Sequence, residues 1–198
     1  MQKNLSRKTP VQLLHLTEHH FLALITLANQ VHGDNYLDLQ SLQRMHAHGI
    51  KDGHNASFVA LDEQGAVVGY RLSFAPGQWQ IDQWCSVDLW PVAQADMAYF
   101  KSVAVAPAMR GKGIASALLN ASAAVLAQQG AKAGLAHIWR ESPGNAAERY
   151  FSFAGASLIK VHPDRWRSLS ETAAYYCPRC GALCRCSAAE MVLLFGSG

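Results

Sequence analysis

The chain has 198 residues, 17 Lys+Arg against 14 Asp+Glu for a formal charge of +3, and half of its residues are hydrophobic. That is enough apolar material for a packed core, which excludes wholesale disorder. The small charge excess gathers on no helix or terminal arm, which argues against a nucleic-acid binder.

The longest apolar stretch near the N-terminus, residues 21–28, is far short of the roughly 20 residues a membrane span needs. It follows two histidines and a glutamate rather than a basic start, so a cytoplasmic protein with no membrane partner is expected.

Residues 11–16 form a short apolar run suited to an opening strand. Thr17 is placed to cap a helix that continues to about His32 with the apolar stripe Phe21, Leu24, Ile25 and Ala28. Residues 37–48 are expected as a second amphipathic helix, with Leu39, Leu42 and Met45 on one side. The β-rich runs 57–61 and 66–74 flank Asp62-Glu63-Gln64-Gly65, a hairpin turn. Residues 75–95 hold Trp79, Trp84 and Trp90 with two prolines and are expected to be irregular, with one short strand at most.

Residues 98–105 are strand-like and end before Pro107. Residues 113–129 are Ala/Leu-rich with the stripe Ile114, Leu118, Ala121 and Val125, and carry no charge beyond the loop that precedes them, so this helix should be covered on most sides. Gly130 stops it. A strand at 134–139, a helix at 144–153, and strands at 156–161 and 191–195 complete the chain. The order β-α-α-β-β-β-α-β-α-β-β calls for a mixed sheet with helices on both faces.

Between the strand that ends at Pro107 and the long helix stands Arg110-Gly111-Lys112-Gly113. Glycines let successive N–H groups turn toward one point, the helix start adds its unpaired N–H groups and dipole, and Arg110 and Lys112 add charge. Together they suit a phosphate or pyrophosphate, although a plain strand-to-helix turn uses glycine in the same way. The spacing fits neither a Walker A loop nor a dinucleotide fingerprint.

With Val103, Val105 and Pro107 in register upstream, Arg110, Gly113 and Ala115 match Arg/Gln-x-x-Gly-x-Gly/Ala. Here the sequence resembles the GCN5-related N-acetyltransferase (GNAT) superfamily, in element order too from about residue 11 to 195. The resemblance implies an α/β (α+β) fold with a mixed, mostly antiparallel central sheet and helices on both faces, as one domain over 1–198. It implies that acetyl-CoA pyrophosphate sits on Arg110, Gly111, Lys112, Gly113, Ile114 and Ala115, and that the pantetheine arm runs along Val103, Ala104 and Val105 like an added strand. Asn145 falls one residue later than the family's common asparagine. The implied reaction moves an acetyl group to a primary amine of a small-molecule or peptide acceptor.

Such a reaction needs a base for an amine of pKa near 10, an N–H donor for the oxyanion, and an acid for the leaving thiolate. The strand backbone near Val105 can supply the donor. His137, with a pKa near neutral in isolation, is a candidate base beside Glu148 and Asp96, or else an ordinary sheet residue. The family's acid is a tyrosine four residues before a glycine. Counted back from Gly155 that position holds Phe151, and Tyr150 is one residue early, about 100° around a helix. Tyr150 takes the role only if the helix turns it inward; otherwise solvent protonates the thiolate.

Cys85 stands alone, whereas Cys177, Cys180, Cys184 and Cys186 crowd into ten residues. Without an export signal such clustering argues for metal before disulfides. Cys-Pro-x-Cys-Gly has the form of a zinc knuckle, and Cys184 and Cys186 complete the four thiolates of a structural zinc site. With three residues between the pairs one ligand is open to strain, and His162 or a second chain could replace it.

The knuckle belongs to an insertion at 163–190 between the last two strands. In the family resembled, that connection borders the acceptor pocket, so Trp166, Tyr175, Tyr176 and Arg179 either shape acceptor choice or simply accompany a metal that replaces a core. Two rival readings are a non-catalytic acyl-CoA-binding module whose zinc loop recruits a protein, and a zinc-ribbon nucleic-acid binder using Arg165, Arg167, Arg179 and Arg185. As an edge strand, 191–195 would be suited to pairing across a homodimer.

Overall fold

A computed structural model describes residues 11–172 and 176–196. In chain order it contains β1 (Gln12–His15), α1 (Phe21–His32), α2 (Leu39–His48), β2 (Ile50–Lys51), β3 (His54–Asn55), β4 (Phe58–Leu61), β5 (Val67–Phe74) and β6 (Met97–Val105). Then come α3 (Ile114–Gln128), β7 (Ala133–Trp139), α4 (Ala146–Phe153), β8 (Ser157–His162), α5 (Arg167–Glu171) and β9 (Ala188–Leu194).

Seven strands form one sheet in the order β1-β4-β5-β6-β7-β9-β8, and β2 with β3 makes a separate small hairpin. Within the sheet only β6 and β7 run parallel, so it is mixed and mostly antiparallel, as the sequence suggested. α1 and α2 bury Leu24, Leu27, Ala28 and Leu42 against Val59, Tyr70 and Leu72 on one face. α3 and α4 bury Leu119, Leu126 and Phe151 against Phe100, Ala136 and Met191 on the other.

Several boundaries shift for local reasons. Residues 18–20 form a 3-10 turn, so α1 proper starts at Phe21, and the Thr17 N–H donates to His20 Nδ1 at 3.1 Å. Asp38 caps α2 by accepting the Ser41 N–H at 2.7 Å. That start leaves Leu39 46% exposed while Leu42 is fully buried. The stretch 75–95 holds 3-10 turns at Val87–Leu89 and the start of Gln94–Asp96 and no strand.

The last strand is not at an edge. β9 lies between β7 and β8 and pairs with both, so the expected homodimer through 191–195 has no free backbone there. The sheet ends at β1 and β8. The insertion is also shorter than expected, because Ala188, Ala189 and Glu190 are already paired in β9.

Two irregularities of β6 prepare the site. Leu72 faces Ser102 while Ser73 faces Phe100, which leaves Lys101 as the extra residue of a bulge. Parallel pairing of β6 with β7 is confined to Met97, Ala98 and Tyr99 against Ala133, Gly134 and Leu135. Both strands continue beyond this, so they part toward their C-terminal ends. Gly134 is required at the point of parting, because any β-carbon there would collide with the Phe100 ring.

Candidate active site

β6 ends in a 3-10 turn at Pro107–Met109, and α3 starts directly after Gly113. Gly111 and Gly113 both adopt positive φ, 73° and 78°, which glycine enters at little cost. No side chain caps the start of α3, so its first N–H groups face the loop. Arg110 is tied back to the strand, its Nε donating to the Val105 carbonyl at 3.2 Å. The sequence motif is therefore one convergent set of donors at the mouth of the gap between β6 and β7.

α4 packs against β7 and α3. Phe151 is fully buried and packs edge-on against Phe100 with ring centroids 5.6 Å apart. Tyr150 instead directs its hydroxyl to Arg71 of β5, whose Nη2 donates to it. Arg71 is 1% exposed, its Nε has no partner among the described residues, and its guanidinium carbon stands 5.0 Å from the Phe100 ring centre. Asn145 enters α4 in the left-handed region at φ 50°; its Nδ2 donates to Glu148 Oε2 at 3.2 Å, and its buried Oδ1 has no partner among the described residues. Glu148 also pairs with Arg140 Nε at 3.1 Å. Asp96 is tied to Lys132 at 2.7 Å at the opposite end of β6.

On the opposite face of the sheet, His137 is engaged at both nitrogens. Nε2 lies 2.7 Å from the Trp84 carbonyl, so it carries the proton, and Nδ1 accepts from the Tyr99 hydroxyl at 3.0 Å. Burial holds the His137 pKa below its ordinary value, so the ring is neutral near pH 7. His162 does not join the cysteines. Its Nε2 lies 2.8 Å from Glu190, and His137, His162 and Glu190 cluster within 4.8 Å. Glu190 also accepts the Ser86 N–H and the Trp90 Nε1–H, both at 2.8 Å, so its oxygens are committed. Of the three tryptophans in residues 75–95, Trp90 is core, Trp79 stacks on Tyr99 at 4.9 Å, and Trp84 presents its ring to Arg165 and His162.

The four Sγ atoms of Cys177, Cys180, Cys184 and Cys186 lie within 4.8 Å of one another. Cys186 stands 3.9 Å from Cys177 and 3.5 Å from Cys180, near the ~3.8 Å separation implied by tetrahedral Zn–S bonds of ~2.3 Å. These spacings are far from the ~2.05 Å of a disulfide. Cys177 and Gly181 close the turn by exchanging backbone hydrogen bonds of 3.1 and 2.9 Å, and the Cys180 N–H donates to Cys177 Sγ. Burial pushes the Cys177 thiol up, but the Cys180 and Arg179 N–H groups, with Cys184 and Cys186, outweigh it and leave the pKa below its ordinary value. The donor set fits a tetrathiolate metal. Trp139 and Trp166 pack around it, whereas Tyr175 lies outside the described residues. Arg165 pairs with Asp82, Arg167 with Glu171, and Arg179 reaches the Glu141 carbonyl.

Arg71, Tyr99 and Glu190 were not picked out from sequence. Arg71 had a legible signal, a charge in the middle of an otherwise uncharged strand. Tyr99 and Glu190 become partners of His137 and His162 only through strand pairing.

A sheet that splits between two parallel strands, with a glycine loop and an uncapped helix at the mouth, has features that suit a phosphate-bearing ligand. The chain belongs to the acetyltransferase (GNAT) family, which it matches over residues 21–155. Ard1 from Thermoplasma volcanium superposes with a TM-score of 0.66 at 13% identity, over 95% of this chain and 99% of that one. For yncA of Salmonella typhimurium, described as an acetyltransferase and solved with its cofactor acetyl-CoA, the TM-score is 0.67 at 16% identity, over 96% of each chain. Naa50 of Arabidopsis thaliana, solved with the bisubstrate analogue CoA-Ac-MVNAL, gives 0.61 at 16%, over 94% and 99%. Curated protein sequences give no significant match. Among the described residues, no helix is long and apolar enough to cross a membrane.

Proposed function

We propose that the protein is an acetyl-CoA-dependent N-acetyltransferase acting on a primary amine of a small-molecule or peptide acceptor. The observation that carries this reading is the parting of β6 from β7 directly beside the glycine loop and the bare start of α3. In this reading the N–H groups from Arg110 to Ala115 hold the pyrophosphate. The backbone of Val103, Ala104 and Val105 lines the pantetheine arm, and the orphaned Asn145 Oδ1 accepts one of its amide protons.

Tyr99 and His137 form the proton path from the acceptor. The Tyr99 oxygen takes a proton from the amine as its own passes to His137 Nδ1, the free lone pair of a neutral ring. The Val105 N–H faces the tetrahedral oxyanion, and Tyr150 protonates the leaving sulfur. Glu148 holds Asn145 and Arg140 rather than substrate. The four cysteines hold a structural zinc, which supplies folding energy to residues 163–187.

Native mass spectrometry with acetyl-CoA tests this reading. A stoichiometric adduct is expected, lost in a folded Gly113→Glu variant because a carboxylate then occupies the anion seat. No adduct at concentrations well above micromolar would overturn it. An adduct without acetyl transfer to any amine in a broad acceptor panel would leave the non-catalytic acyl-CoA-binding module.

A further inference from the structure

Arg71 is the least expected side chain in the sheet. It is 1% exposed, and among the described residues its charge meets no carboxylate and its Nε no acceptor. A buried cation without a counter-ion costs several kcal/mol on the usual scale, so a chain that keeps one uses its field. The guanidinium starts on β5, passes the Phe100 ring, and ends on the Tyr150 hydroxyl beneath α4, where β6 and β7 part.

The direction of that hydrogen bond matters. Arginine only donates, so the Tyr150 oxygen is an acceptor toward Arg71 and its own hydrogen points elsewhere. Phe151 fixes the helix rotation by filling the core beside Phe100, the first residue of β6 past its pairing with β7, and Tyr150 beside it reaches Arg71.

We propose that Arg71 is a positioning residue that sets Tyr150 for the leaving sulfur, an inference that rests on the acetyl-transfer reading above. When the tetrahedral intermediate collapses, its C–S bond breaks and the electron pair leaves on sulfur. The Tyr150 O–H bond breaks as an S–H bond forms. The phenolate left behind stays paired with Arg71 until solvent returns a proton to it, while the proton from the acceptor nitrogen stays on His137 until it too leaves to solvent. The same cation stabilises one negative charge shared by the Tyr150 oxygen and the CoA sulfur in the product complex, so that pair gives up one of its two protons more readily than free CoA does.

The test needs no acceptor. Binding of CoA and of desulfo-CoA, which lacks the sulfur, is measured by calorimetry from pH 6.5 to 9 for wild type, Arg71→Met, Arg71→Lys and Tyr150→Phe. In wild type the preference for CoA over desulfo-CoA rises about tenfold across this range, the effect of one pKa unit. It is flat in Arg71→Met and Tyr150→Phe, partly kept in Arg71→Lys, and no worse in the double variant than in either single one. A purely structural role for Arg71 would weaken both ligands equally and leave the ratio unchanged. A wild-type pH dependence retained in Arg71→Met overturns the proposal; should that variant not fold, a retained dependence in Tyr150→Phe does so. Failure of the wild type to bind either ligand overturns the acyl-CoA reading itself.

Discussion

The carbonyl oxygen of Tyr176 rests against the α-carbon of Gly33, so close that a β-carbon there would stand 2.7 Å from it. Gly33 ends α1 at φ 110° and ψ 159°, a region that side chains strongly disfavour. On its far side the cysteine loop grips the connection from β7 to α4: Arg179 Nη1 donates to the Glu141 carbonyl at 3.2 Å, and the Ser187 N–H to Glu141 Oε2 at 2.9 Å. The loop is thereby a strap between the end of α1 and the entry to α4, the two helices that flank opposite faces of the cleft.

Gly33→Ala should therefore cost stability twice, once for the dihedral angle and once for the overlap with Tyr176. Together they amount to about 1–3 kcal/mol. At roughly 2–4 °C per kcal/mol for a chain of this size, calorimetry should show a clear fall in Tm. Acetyl-CoA affinity should not move, because Gly111 and Gly113 are not touched by the strap. Unchanged stability would mean that the strap does not bear on α1.

Elemental analysis of the purified chain should find one zinc per molecule, and Cys180→Ser should lose it. Binding requires deprotonated thiols, so zinc retention should weaken as pH falls and strengthen as it rises. A chelator should lower Tm while the acetyl-CoA affinity of the folded fraction stays constant. Two disulfides by mass, with no metal, would contradict this.

The parts of the molecule that depend on neighbours in sequence were legible in advance. The turn at residues 62–65, the uncharged helix after Gly113 and the cysteine spacing each carry their cause locally. What escaped depends on sheet order. Nothing in Met191 or Val192 tells that their strand inserts between β7 and β8, and only that insertion sets Glu190 opposite His137. Counting back from Gly155 does not tell which of Phe151 and Tyr150 the helix turns into the core. Phe151 takes the core position because Phe100 offers a ring to pack on, and Tyr150 follows from that rotation.

His32 should add an acid-sensitive component to stability. Burial lowers its pKa from 6.5 to about 4, helped by the charge of Arg110 and opposed by the Val103 carbonyl that its Nε2 faces at 3.2 Å. Between pH 6.5 and about 4 the unfolded chain binds a proton that the folded chain does not, so stability falls as pH drops through that window and is fully present above it. His32→Gln should flatten the fall in Tm between pH 7 and 5. A curve parallel to wild type would show that His32 is not its source.

Glu190 should act in a lower window. Its carboxylate is fully buried between β7 and β8; burial alone would raise its pKa, but hydrogen bonds from Trp90, His162 and Ser86 outweigh that and hold it below the ordinary 4.5. A depressed carboxyl contributes stability that is complete above its unfolded pKa and is lost as pH falls through the folded one. Glu190→Gln keeps the size but turns an NH2 group toward one of three donors, which leaves buried polar atoms facing each other. It should cost about 1–3 kcal/mol at pH 7 and make the acid limb below pH 4.5 shallower than in wild type. Because Trp90 Nε1 donates to this carboxylate at 2.8 Å, its fluorescence should report the same transition. An acid limb as steep in Glu190→Gln as in wild type would assign the effect to other carboxylates.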